Sequence, residues 1–196
     1  MIKGNIQSTY IHQHNTIIDF TDSIYVADYT ENTKTLAVKR SVEFFSPNPP
    51  TDIQYFSILN IPKLPSVGIA FNNSSFVYAN GNAMTQCEGV FFPSSSNSDS
   101  WILFCELKYS SKPIRNTNNL RKAINQLFRT QYYYASRNIF SRTNNCYLIA
   151  SLPIQSEPFT NFSLPQAFLT KLKRTRNIVL RMKNSIEIID SNLLAV

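Results

Sequence analysis

A chain of 196 residues, 43% apolar and 13% aromatic, can bury a sizeable core and leaves little room for a long disordered tail. No apolar run reaches the roughly 18 residues needed to span a bilayer, and the opening "MIKGNIQSTYIHQHN" lacks a signal-peptide stretch, so a cytoplasmic protein with no membrane partner is expected. The net charge of +7 favours an anionic partner such as nucleic acid, while three cysteines (Cys87, Cys105, Cys146) without C-x-x-C spacing indicate neither a disulfide framework nor a zinc site.

In chain order, "TIIDF" and "SIYVADY" read as short strands, and 32–50 as a short helix stopped by prolines after Phe45. "SVGIAFNNSSFVYANG" reads as two strands about a polar turn. "CEGVFFP" (87–93) and "WILFCELKY" (101–109) are apolar runs of strand length, joined by the Ser- and Asn-rich "PSSSNSDS". A long helix is predicted from about Asn118 to Arg137, with Leu120, Ala123, Ile124, Leu127, Phe128, Gln131, Tyr134 and Ala135 on one stripe and Asn118 or Asn119 as cap. "NCYLIASLP" is a further buried strand, "QAFLTKLKRTRN" a helix, and "IVLRMKNSIEII" a closing hairpin or strand pair. Strand–strand–helix–strand order implies a single α/β domain, residues 1–196, whose motif-bearing core is 81–153 and whose first 80 residues are the less defined part.

The chemistry concentrates in "SWILFCELKYS". Strand alternation puts Ile102, Phe104, Glu106 and Lys108 on one face, apolar at its start and charged only at its C-terminal end. In open α/β sheets that end is where ligand sites lie. The preceding strand repeats the arrangement, with Glu88 directly after Cys87 as Glu106 follows Cys105. If the two strands are neighbours, two carboxylates and a lysine share one small space. Like charges that close raise each other's pKa unless a cation intervenes, and Mg²⁺ meets that need with carboxylates, a carbonyl, water and phosphate oxygen.

An acid on one strand, "ELK" on the next and a basic helix after them resemble the PD-(D/E)XK nuclease superfamily. The resemblance implies a restriction-endonuclease-like mixed β-sheet flanked by helices, with an αβββαβ core. It further implies Mg²⁺ (or Mn²⁺)-dependent hydrolysis of phosphodiester bonds, with DNA the favoured substrate. By the same analogy Glu88, Glu106 and the carbonyl of Leu107 would hold the metal and Lys108 would assist the attacking water. Gln126, in the "A-x-x-Q-L" of Ala123–Leu127, matches a helical glutamine that assists the site, and Glu43 is the nearest counterpart of an upstream helical glutamate. One departure is that the first acid here is Glu88 after Cys87, where the family pattern has Pro-Asp. A catalytically inactive nuclease-fold protein, binding nucleic acid or another protein, is therefore the alternative.

Lys112, Arg115, Arg121, Lys122 and Arg129 follow the motif closely, and Lys173, Arg174 and Arg176 form a second basic run, joined by Lys171, Arg181 and Lys183; all are expected to contact phosphates. Whether the chain works as a homodimer is left open. His12 and His14 share strand parity but lack a third metal ligand. In "QYYYAS", Tyr134 falls in the core stripe, whereas Tyr132 and Tyr133 lie off it and are free to stack on bases.

Overall fold

The computed structural model describes residues 1–10, 14 and 17–196. It is a mixed α/β structure with two β-sheets and four α-helices among the described residues. Chain order runs α1 (Ile2–Thr9), β1 (Ile17–Phe20), β2 (Ile24–Asp28), α2 (Thr30–Thr33), β3 (Val42–Phe45), β4 (Phe56–Leu59), β5 (Ser66–Ala70), β6 (Gly89–Pro93) and β7 (Trp101–Leu107). It continues through α3 (Asn116–Ser136), β8 (Asn145–Ser151), α4 (Gln166–Arg176), β9 (Ile178–Met182), β10 (Ser185–Ile188) and β11 (Leu194–Ala195).

The larger sheet has six strands in the order β1-β5-β6-β7-β8-β9. Its first four strands are antiparallel neighbours, whereas β7, β8 and β9 run parallel to one another. Such parallel pairs need crossovers, which α3 and α4 supply. Every residue of β6 and β7 is buried, as expected for strands covered on both faces. Phe104 meets Tyr134 of α3 at 5.5 Å between ring centroids, while Phe91, of the opposite parity, meets Phe44 of β3 at 4.7 Å. Helices therefore cover one face, and the smaller sheet, ordered β11-β10-β4-β2-β3, covers the other.

Three expected elements differ. Residues 32–50 do not form a helix: Leu36 and Val38 are exposed, so there is no apolar stripe to bury, and "VEFF" pairs with β2 as β3. The second half of "SVGIAFNNSSFVYANG" is no strand either, its only ladder contact among the described residues being the isolated bridge Val77–Ala83. There Phe76 is buried among Tyr10, His14, Phe71, Tyr133 and Tyr134, and aromatic packing decides the backbone's path.

The third difference is that β9 and β10 do not pair with each other. β9 joins β8, and β10 joins β4 of the smaller sheet. Asn184 makes the crossing point. Its side chain accepts from Ser151 Oγ and the Leu152 N–H and donates to the carbonyls of Leu152 and Gln155. Four bonds on one amide fix where the chain leaves the larger sheet.

Helix α3 begins two residues before its predicted start, and no side chain caps it. Asn116 instead donates to Gln155 and to the Thr160 carbonyl, tying the helix start to the loop after β8. Its buried residues include Leu120, Ala123, Leu127 and Tyr134, as the stripe predicts. Tyr133 is also buried, contrary to its expected exposure, because it packs on Phe76 at 5.2 Å. No helix among the described residues is long and apolar enough to cross a membrane.

Candidate active site

β6 enters the sheet next to the exit of β7. Their antiparallel register pairs Gly89 with Cys105 and Val90 with Phe104, which brings Glu88 and Glu106 to the same end of the two strands. The Glu88 N–H donates to the Cys105 carbonyl at 3.0 Å, and its carbonyl accepts from the Phe71 N–H at 2.9 Å. Both strands beside β6 thus hold Glu88 by its backbone.

Glu106 is completely buried. Its Oε1 forms an ion pair with Lys108 Nζ, and Lys108 remains partly open to solvent. The Glu88 and Glu106 carboxyls are close enough to contest one proton. Among the described residues, however, no donor meets either Glu106 oxygen in good hydrogen-bond geometry. A buried carboxylate left so poorly satisfied is costly unless something else compensates it.

The electrostatics follow from that crowding. Burial, then the charges of Glu106 and Asp28, push Glu88 well above the ordinary carboxyl range. Burial lifts Glu106 from 4.5 to about 7, with Lys108 opposing and Asp28 adding to the rise. For Lys108, burial works to lower the pKa, but Glu106, Glu88 and Asp28 together hold it above its usual value. Raised in this way, both acids favour their protonated forms, and a divalent ion between them would favour the ionised forms instead.

The donor set fits such an ion. Two side-chain carboxylates with a nearby backbone carbonyl suit a hard cation that keeps several waters, as Mg²⁺ does. No cluster of three or more His, Cys, Asp or Glu that could hold a metal ion occurs among the described residues. Leu107 ends β7 opposite Ser151 of β8, with its own side chain buried.

Gln126 does not reach the acids. Its Nε2 donates to the Gln86 carbonyl at 2.9 Å. One turn on, Thr130 Oγ1 accepts from the Cys87 N–H at 2.8 Å and donates to the Gln126 carbonyl at 3.0 Å. Together these residues of α3 anchor the segment that delivers Glu88. Glu43 lies on β3, not on a helix, and is clasped by Arg40 at 2.7 and 2.8 Å.

Two contributors lie outside the sequence motif. Asp28 ends β2 of the smaller sheet, and its charge acts on Glu88, Glu106 and Lys108 alike. Tyr109 links the sheets beside it, accepting from the Asp28 N–H at 3.2 Å and donating to the Gln54 carbonyl at 2.7 Å. The signal for Asp28 was present in the sequence: "IYVAD" is a mostly buried strand ending on an acid, as "FCE" is.

The basic residues divide into two groups. Lys112, Arg115, Arg121 and Lys122 lie exposed on the loop after β7 and the first half of α3, at the acids' end, and Arg129 lies beside Thr130. Lys173, Arg174 and Arg176 lie at the opposite end of the sheet. Lys173 bonds Asn145 at 3.0 Å, and Asn145 pairs with Trp101, five residues before Glu106. At about 3.3 Å per strand residue this places them roughly 17 Å away along the sheet.

His14 stacks on Tyr10 at 4.4 Å within an aromatic cluster, and His12 lies outside the described residues. All three cysteine thiols are buried, and burial raises their pKa values. Comparisons with family models, curated proteins and solved structures give no match to this chain.

Proposed function

We propose that this protein is a Mg²⁺- or Mn²⁺-dependent nuclease that hydrolyses phosphodiester bonds, with DNA as its substrate. The observation that carries the reading is the meeting of Glu88, Glu106 and Lys108 at one sheet edge, with the Glu106 carboxyl fully buried and paired with Lys108. The element order supports it as well. Antiparallel β5, β6 and β7, then α3 and the parallel β8, match the βββαβ part of the αβββαβ order expected of restriction-endonuclease-like proteins, while β1, β2, α2, β3 and β4 separate α1 from β5.

In this reading Glu88, Glu106 and the Leu107 carbonyl hold the ion, which when bound polarises the phosphate and lowers the pKa of a water. Lys108 orients that water and offsets charge developing on the phosphate oxygens. Glu106 in turn fixes Lys108 through their ion pair. Lys112, Arg115, Arg121 and Lys122 hold the flanking phosphates by charge, without reading sequence.

A second reading, a nucleic-acid-binding protein that no longer cleaves, is favoured by one observation: the Gln126 amide is engaged by the Gln86 carbonyl and not by the acids. Incubating plasmid DNA and a labelled single strand with protein and Mg²⁺ or Mn²⁺ separates the two. Metal-dependent cleavage lost in Glu106→Gln supports the nuclease. Salt-sensitive binding with both substrates left intact supports the second reading and overturns the first.

A further inference from the structure

At the end of the sheet remote from the acids, α3, α4 and the loop before β8 border a groove of about 710 Å³. Gln131 and Tyr132 of α3, Phe140 and Arg142 of the loop before β8, and Lys171 and Arg176 of α4 line it. No acidic side chain does. The side chains of Arg142, Lys171 and Arg176 are exposed, and none enters any of the ion pairs formed among the described residues. Three cations facing one hollow repel one another, and a polyanion lying in it relieves that repulsion.

Tyr132 narrows the identity of that polyanion. Its neighbours Tyr133 and Tyr134 are buried, yet Tyr132 is 64% exposed on the groove wall. An exposed ring beside cations gives nothing to a duplex, whose bases already stack on each other, whereas a single strand has free base faces. Lys173 and Arg174, on the same last turns of α4, extend the positive surface beyond the groove.

We propose that this α3–α4 groove is a second, non-catalytic site that binds single-stranded nucleic acid, its phosphates on Arg142, Lys171 and Arg176 and a base on Tyr132. The site lies about 17 Å along the sheet from Glu106, by the rise of the strands. It therefore works without a metal and independently of whether the acids cleave.

The test uses the full chain carrying Glu106→Gln, with chelator present, and a fluorescent single strand of about a dozen nucleotides read by anisotropy. Tyr132→Ala is expected to weaken binding by roughly tenfold while leaving its salt dependence unchanged. The double variant Lys171→Gln/Arg176→Gln is expected to flatten the slope of log affinity against log salt by about 1.4. Both changes lie on exposed positions, and an unchanged melting temperature confirms that each variant is folded. The proposal is overturned if neither variant alters single-strand binding. It is equally overturned if duplex binds as tightly with no effect of Tyr132→Ala, or if only a mononucleotide, an acidic protein or an anionic vesicle binds.

Discussion

Glu88 donates its N–H to the carbonyl of Cys105, although Cys105 is the ladder partner of Gly89. The β6–β7 pairing therefore slips by one residue where it ends, at the residue whose carboxyl lies near that of Glu106. Two acids that close raise each other's pKa, so their titration should show in the pH dependence of stability.

Stability should fall as pH rises through neutrality. The folded-state pKa of Glu106 is about 7 against an ordinary 4.5, so between those values the folded chain holds a proton that the unfolded chain has lost. Its contribution is fully present below pH 4.5 and is lost as pH climbs through about 7, a change on the order of 3 kcal/mol for this one group. Glu88, raised further by burial and by Glu106, acts in the same direction. Melting temperature should drop between pH 5 and 8, and Glu106→Gln should flatten the drop. Adding Mg²⁺ or Mn²⁺ should restore stability at pH 8 and have little effect at pH 5. A melting temperature that ignores metal at both pH values argues against an ion between these carboxyls.

Lys108→Ala should separate turnover from binding. The ammonium contacts Glu106 and is partly open to solvent, so it can meet an attacking water and a phosphate oxygen together. Its loss should lower the cleavage rate by roughly a hundred-fold or more, with nucleic-acid affinity changed only slightly. It also removes the positive charge that lowers the Glu106 pKa, so the pH midpoint of stability should move upward. Equal losses in affinity and rate would assign Lys108 to phosphate binding alone.

The apolar runs made most of the larger sheet legible, because β6, β7 and β8 are buried almost without interruption and leave no other reading. The helical stripe of α3 was equally plain. Of the smaller sheet β2 and β10 were read as strands, but the pairing that makes it a sheet was not legible. Its strands span two to five residues, and the parallel pairing of β4 with β10 joins segments more than 120 residues apart in the sequence. Local pattern carries no record of such pairings. The charged triad could be read because carboxylates at the ends of apolar strands lack a packing explanation. Asp28 has the same form and went unseen, since only the second sheet's position on the first gives it a relation to Glu106.

Thr130 should matter to the site although it touches neither carboxyl. It is fully buried, and its hydroxyl satisfies the Cys87 N–H, one residue before Glu88. Thr130→Val keeps the shape but leaves that N–H without an acceptor, at a cost of about 1–3 kcal/mol. The variant should melt lower and bind Mn²⁺ more weakly, because Glu88 is no longer held in place. Thr130→Ser should recover both properties. If Val lowers the melting temperature and leaves metal affinity intact, the hydroxyl supports the fold but not the site.

Gly89 directly follows Glu88 and faces Phe44 of the smaller sheet, and its lack of a side chain is a steric requirement. A Cβ built there lies 2.9 Å from the Ile69 carbonyl oxygen and 2.9 Å from Cζ of Phe44. The oxygen belongs to the neighbouring β5 backbone and cannot withdraw without disturbing the ladder, whereas the ring of Phe44, from β3 of the other sheet, must shift. Gly89→Ala should therefore cost about 1–3 kcal/mol and displace Glu88, lowering both melting temperature and metal affinity. Gly4 supplies the contrast. It lies exposed in α1 with nothing within 4 Å of an added Cβ, so Gly4→Ala should stabilise the helix by about 0.5–1 kcal/mol. If both substitutions shift the melting temperature in the same direction, the close approach of the sheets at Gly89 is not what holds Glu88 beside Glu106.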